Sequence, residues 1–371
     1  MKELIEILNS LEELAASQDP MYLCTIVETK GSSYRRPGAK MLVRNFKNEI
    51  GIISGGCLEN DILYRLKETD SVPPFILEHD STSEEEILFG TETGCGGLVR
   101  ILVEPFREIL PRFEVLHNLF VDRKDAMVAT LIYEKSSTKN EWLIISENTI
   151  AEDCILNKSV KEELTTKAFE LYKEKKSGYL TLGDPDQAQN VSVFFEYLPS
   201  PLHLYIFGAG NDAVPVADFA RKMGWIVTVS DYRKNLLNGE RFKAAHKLIH
   251  NNTGSLHNHV IEHKRSLVLL MTHNFSADLQ LISQLLPLEL GYLGMLGSRK
   301  RCSKIHRVLV QEDPKIAELF KERLYFPTGL DISPDTPEEI AISILSEMLA
   351  VLNGRPGGHL RDSQRSVHVS Q

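Results

Sequence analysis

The sequence predicts an α/β protein, with a C-terminal Rossmann-like parallel sheet preceded by an N-terminal α+β domain. Beyond residue 203, apolar strands alternate with amphipathic helices, the pattern of a parallel sheet covered on both faces. The first of these strands runs directly into Gly208-Ala209-Gly210, and an acid, Asp231, closes the next strand about twenty residues later. Two prolines, Pro199 and Pro201, precede that first strand and disfavour regular structure on both sides of themselves. Domains are therefore expected at residues 1–198 and 204–356, with a polar tail at 357–371.

Taken in order, MKELIEILNSLEELAAS has the apolar spacing of one amphipathic helix. YLCTIVET and MLVR read as strands joined by the basic turn GSSYRRPGAK. EIGIISGG reads as a strand ending in glycines, and CLENDILYRLKE as a helix with Leu58, Ile62, Leu63 and Leu66 on one face. PFILEH, the glycine-rich TGCGG and LVRILVEP follow as strand, loop and strand, then FREILPRFEVLHNLF as a helix. AMVATLIY, EWLIIS and VSVFFEYL are further strands around a charged helix at Lys161–Lys176. In the C-terminal part LYIF, WIVTVS, KLIH, LVLLMTH and YLGML are strands, with helices to about Met223, at Ala277–Leu286 and from about Arg299. A last helix starts at Thr336 as N-cap with Pro337 behind it and acids in its first turn, and Gly354 ends it.

With 42% hydrophobic and 25% charged residues the chain is composed like a globular protein, and its length suits two cores. A formal net charge of −9 opposes broad attachment to nucleic acid or anionic lipid. The first segment lacks the uninterrupted apolar stretch of a secretory signal, and no run approaches the roughly eighteen apolar residues of a membrane span, so a cytoplasmic protein is expected. Five widely spaced cysteines (Cys24, Cys57, Cys95, Cys154, Cys302) without a C-x-x-C pair fit reduced thiols better than disulfides or structural zinc.

The glycine motif carries chemistry in its strand–helix context. Gly208 permits the tight turn, Gly210 lets backbone amides approach a phosphate, Ala213 lets the helix pack, and Asp231 is placed to hold a ribose hydroxyl. Asp212 stands beside the place of a pyrophosphate and would repel it, with an N-cap or dipole-stabilising role as the alternative. A second anion site is read at Gly297-Ser298-Arg299-Lys300-Arg301, where a capping serine and three cations open a helix; a solvated basic face is the rival reading. In the N-terminal part three loops stand out: Gly31-Ser32-Ser33 with Arg35 and Arg36, Ser54-Gly55-Gly56-Cys57-Leu58-Glu59, and Thr93-Gly94-Cys95-Gly96-Gly97. Glycines bring backbone close to a ligand, and a helix N-terminus stabilises a thiolate at Cys57.

These motifs, with FPTGLDISPDTPEEIAISILSEMLA and NGRPGG, resemble the XdhC/CoxI family from end to end. The matching positions include Gly31, Ser32, Ser33, Arg36, Pro37, Gly38, Ser54, Gly55, Gly56, Cys57, Glu59, Cys95 and Gly96, then Gly208, Gly210, Asp231, His273, Asp278, Gly297, Ser298, Arg299 and Lys300. The resemblance implies an accessory protein that binds molybdenum cofactor as molybdopterin, assists its sulfuration and delivers it to xanthine dehydrogenase or a related molybdenum hydroxylase. A cysteine desulfurase as sulfur donor and a homodimer are further expectations. The cofactor is expected between the domains, its molybdenum end toward Cys57 as metal ligand and reactive thiol, its phosphate toward Ser298 and Arg299, with His273 and Asp278 lining the cleft. An NAD(P)-dependent oxidoreductase and a non-enzymatic Rossmann scaffold are the competing readings. Tyr172 and Lys176 form a Y-x-x-x-K pair, but they precede the glycine motif, the wrong order for short-chain dehydrogenase chemistry.

Overall fold

The computed structural model describes residues 1–31, 34–68, 74–80, 97–133, 141–182 and 191–363. The chain divides into two compact units, with the boundary between Ser200 and Pro201.

The N-terminal unit opens with α1 (Lys2–Asn9) and α2 (Leu11–Ala16), two helices where one was expected, because Ser10 leaves helical geometry at φ −102°, ψ 9°. Its first antiparallel sheet contains β1 (Met21–Gly31), β2 (Lys40–Arg44), β3 (Lys47–Gly51), β4 (Phe75–Asp80) and β5 (Gly97–Pro105) in the order β3-β2-β1-β5-β4. The expected strand through the glycines stops earlier, at Gly51. There φ is +77° and a Cβ would lie 2.3 Å from the Lys40 carbonyl oxygen, so the chain turns. A helix, α3 (Cys57–Lys67), follows that turn, and α4 (Phe106–Val121) follows β5.

The second sheet, ordered β8-β7-β6-β10-β9, contains β6 (Ala126–Ile132), β7 (Trp142–Ser146), β8 (Thr149–Asp153), β9 (Gly178–Leu182) and β10 (Val191–Leu198). Its helix is α5 (Lys158–Glu174), whose N-cap Asn157 accepts the Val160 amide at 2.9 Å. One apolar cluster gathers Leu4, Leu8, Leu23, Phe113 and Trp142 from helices and both sheets. Two buried ion pairs lie beside it: Arg112–Glu104 at 2.8 Å, and Lys40 of β2 with Glu196 of β10 at 2.5 Å. In each pair the opposite charge offsets the cost of removing the ion from water.

The C-terminal unit is a six-stranded parallel sheet, β13-β12-β11-β14-β15-β16. Its strands are β11 (His203–Phe207), β12 (Ile226–Asp231), β13 (Lys247–His250), β14 (Ser266–Leu270), β15 (Tyr292–Met295) and β16 (Leu324–Tyr325). Side chains alternate between faces along a strand, and both faces are covered. Leu204, Ile206, Leu267 and Leu269 meet α6 (Ala213–Lys222) and α10 (Pro337–Leu352). Tyr205, Phe207, Val268 and Leu270 meet α7 (Phe275–Leu285), α8 (Arg299–Glu312) and α9 (Pro314–Arg323). Asp313 ends α8 and caps α9, accepting the Lys315 and Ile316 amides. Thr336 caps α10 in a reciprocal box with Glu339, as its sequence predicts. The strand order reverses between β11 and β14, and the crevice at the C-terminal ends of these two strands is where such sheets take ligands.

Candidate functional site

At one end of the first sheet, β1 leaves at Gly31, β2 enters at Lys40 and β3 leaves at Gly51, with Thr25 opposite Lys40 and Met41 opposite Gly51. At that same end β4 leaves at Asp80, opposite Leu98, and β5 enters at Gly97, opposite Gly31. The three connections that carry the glycine motifs therefore depart from one edge of one sheet. Ser33 and Cys95 lie outside the described residues, and of Cys57 the backbone alone is described.

Glu59 organises the second of these loops. Its carboxylate accepts the amides of Ile53 (3.0 Å), Ser54 (2.7 Å) and Gly56 (3.1 Å) and the Ser54 hydroxyl. Burial opposes its ionisation, yet the Ser54 hydroxyl and the amides hold its carboxyl below the usual range. Read as a cofactor contact from sequence, Glu59 is instead turned into its own loop. It fixes Gly56 at φ +123° as the N-cap of α3 and sets Cys57 as the first helical residue. At Gly55 an added Cβ would meet nothing within 4 Å, so this backbone is open to approach. Arg35 is drawn to Glu3 at 2.6 Å, while Arg36 is exposed.

In the C-terminal unit, Gly208 has φ +118°, and a Cβ there would lie 2.2 Å from the Met271 carbonyl oxygen; glycine is demanded by the packing of β11's turn against β14. Asp231 differs from its expected state. It is 1% exposed, and its carboxylate accepts the Ala209 amide (2.7 Å) together with the backbone amide, Nε and Nη2 of Arg233 (2.7, 3.0 and 2.8 Å). Burial works against its ionisation, and the Arg233 guanidinium and these amides keep its pKa low. Asp212 occupies the N-cap position of α6 without making a capping bond. It pairs instead with His273 Nε2 at 2.8 Å, and its Oδ1 lies where a Cβ on Gly210 would be.

His273 is half exposed at φ +54°, whereas Asp278 is 1% exposed. Asp278 was expected in the cleft lining; it is held by the Thr272 hydroxyl and by Arg301 Nη2 at 2.5 Å. Burial raises its pKa against those two partners. Arg301 is thereby neutralised, so the expected three-cation helix start presents Arg299 and Lys300 to solvent. Ser298 caps α8 as expected, accepting the Arg301 amide at 3.3 Å, behind Gly297 at φ +152°. Arg233 and Arg241 were not singled out from the sequence. A cation two places after the fingerprint acid was the available signal for the first.

Three thiols are unsuited to nucleophilic or metal chemistry at neutral pH. Burial pushes Cys154 and Cys302 up to about 11, and Cys24, fully buried, higher still. Among the described residues no helix is long and apolar enough to cross a membrane, and no cluster of three or more His, Cys, Asp or Glu is placed to hold a metal.

Comparison with known families gives two matches on this framework: the XdhC and CoxI family over residues 14–69 and the XdhC Rossmann domain over residues 204–348. The chain belongs to the XdhC and CoxI family. Among XdhC relatives, a Bacillus subtilis (strain 168) protein, named as a probable xanthine dehydrogenase subunit, is 28% identical over 341 residues, 91% of this chain and 95% of that one. The crystal structure of a xanthine dehydrogenase from Bacillus halodurans superposes with a TM-score of 0.71 at 27% identity, covering 98% of each chain. An Escherichia coli (strain K12) protein, uncharacterized protein YqeB, is 32% identical over 180 residues, 48% of this chain and 32% of that protein.

Proposed function

We propose that this XdhC member is an accessory protein of a xanthine dehydrogenase or related molybdenum hydroxylase, binding molybdenum cofactor and assisting its sulfuration and insertion. The observation that carries the reading is the departure of all three glycine motifs from one end of the first sheet, with open backbone at Gly55 and Cys57 opening α3. Names of relatives along nearly the whole chain point to the same partner. The residues fit a soft-metal ligand with an anionic tail. A thiol at a helix N-terminus has its thiolate stabilised by the dipole, sulfur suits molybdenum, and glycine amides and Arg36 suit phosphate. Cofactor, when bound, supplies the dithiolene–molybdenum centre; the protein supplies enclosure, orientation and a thiolate. In this reading sulfur comes from a cysteine desulfurase and the carrier is a homodimer.

Purification from cofactor-producing cells, followed by molybdenum content, pterin fluorescence and activation of the apo-hydroxylase, tests this directly. Cys57→Ser is expected to lower cofactor retention and activation by about tenfold or more, the range for loss of a ligand or its support, while Cys302→Ser leaves both unchanged. Equal retention and activation by the two variants would remove Cys57 from the site. Wild-type protein that carries neither pterin nor molybdenum would remove the function.

A further inference from the structure

We infer that the crevice between the Gly208–Asp212 turn and the Thr272–Asn274 segment takes a nucleotide phosphorylated on its ribose 2′-oxygen, and that Arg233 selects it against the unmodified ribose. This does not rest on molybdenum cofactor binding.

The crevice lies where the strand order reverses, between β11 and β14. Among the described residues no backbone carbonyl takes the amides of Gly210, Asn211 or Asp212, so three successive N–H groups remain for an anion. The acid that would receive a ribose diol is already saturated. A carboxylate offers about four lone-pair sites, and those of Asp231 meet Ala209 and three donors of Arg233. A ribose bearing two hydroxyl donors would have to displace the arginine. A ribose bearing a phosphate finds the opposite: a guanidinium anchored by Nε and Nη2, one-third exposed, with Nη1 not engaged by Asp231. Charge-assisted, fork-shaped donors of this kind are suited to phosphate. Arg241 flanks the same turn. Its Nη1 donates to the Ala209 and Leu236 carbonyls (3.2 and 2.8 Å) and its Nη2 to Asn211 Oδ1 (2.9 Å), fixing the loop and adding positive charge.

Asp212 acts differently. Its carboxylate lies against Gly210, held by His273, at the place a diphosphate would approach. It weakens every nucleotide alike, whether or not the ribose carries phosphate. Arg233 therefore governs selectivity and Asp212 governs affinity.

Calorimetric titration of the full chain with NADP⁺, NAD⁺ and adenosine 2′,5′-bisphosphate separates the two roles. Wild type is expected to bind NADP⁺ and the bisphosphate at least about tenfold more tightly than NAD⁺, the scale of one charge-assisted hydrogen bond. Asp212→Ala is expected to tighten all three by a common factor. Arg233→Ala, which returns the Asp231 carboxylate to a diol, is expected to abolish or invert the preference, and Arg233→Lys to reduce it. Equal or tighter NAD⁺ binding by wild type overturns the proposal. So does a preference that survives in Arg233→Ala with its melting temperature intact, or in Arg233→Lys if the alanine variant does not fold. So too does an absence of NADP⁺ binding in both wild type and Asp212→Ala. None of these results alters cofactor retention through Cys57, so the two proposals fail separately.

Discussion

His273 adopts a left-handed backbone conformation with its Nε2 against Asp212, an arrangement that a non-glycine residue holds only when its surroundings impose it. The hydrogen bond from Asp212 raises the histidine's pKa above the ordinary imidazole value, and partial burial opposes it. A group whose pKa is raised on folding binds its proton more tightly folded than unfolded. The stabilisation is therefore complete below the unfolded imidazole's pKa and disappears as pH climbs through the raised folded value. Asp212→Asn is expected to bring the His273 titration, followed by NMR, back toward its ordinary value, and the stability gap between the two proteins to close over that same rise in pH. An unchanged titration would mean that Asp212 is not the cause. This pairing was not legible in the sequence, because the two residues sit on different strand ends and meet only through β11–β14 pairing. Asp231 illustrates the same limit. Its place at the end of β12 followed from spacing, but its occupation by Arg233 depends on a side-chain conformation that no motif encodes.

Glycines that look equivalent in sequence have opposite roles once their elements are placed. Gly208→Ala drives a Cβ into the Met271 carbonyl at positive φ, forcing the β11–α6 turn away from β14; a loss of about 3 kcal/mol or more is expected in chemical denaturation. Gly55→Ala meets no atom, and stability is expected to stay within about 0.5 kcal/mol of wild type. If the Gly55 loop receives a closely approaching ligand, that same alanine lowers cofactor retention without touching the fold; unaltered retention would place the ligand elsewhere. At the far end, Thr336→Ala removes one half of the α10 capping box and is expected to cost about 1 kcal/mol. Elements with strong periodicity, such as β11, α6 and α10, were legible because their burial is set by spacing. The edge strands β8 and β9 were not. Thr149–Asp153 is largely polar with Ile150 exposed, and it becomes a strand because β7 offers it a ladder.

At the scale of the whole molecule, each compact unit possesses its own apolar clusters. Before Ser200, Phe113, Trp142 and Leu23 centre one cluster, Met41, Ile62 and Ile101 another, and Leu164, Val193 and Phe195 a third. After it, Leu204, Ile206, Val227 and Met348 fill one face of the parallel sheet and Phe207, Leu270 and Phe320 the other. The prolines around residue 200 made the boundary readable in sequence, since they break regular structure where composition shifts. What they left unreadable is the gathering of the three glycine motifs, which follows from a strand order in which β5 inserts beside β1 and Gly97 comes to lie opposite Gly31. Units that each own a buried core are expected to fold as independent cooperative bodies. Fragments 1–200 and 201–371, expressed separately, should each give a single sigmoidal urea transition followed by circular dichroism. The second fragment should also keep any nucleotide preference set by Arg233, because Asp231, Ala209, Arg241 and Asn211 all lie within it. Should the second fragment melt without cooperativity, its sheet must draw stability from the first 200 residues, and the Rossmann unit is then not an autonomous body.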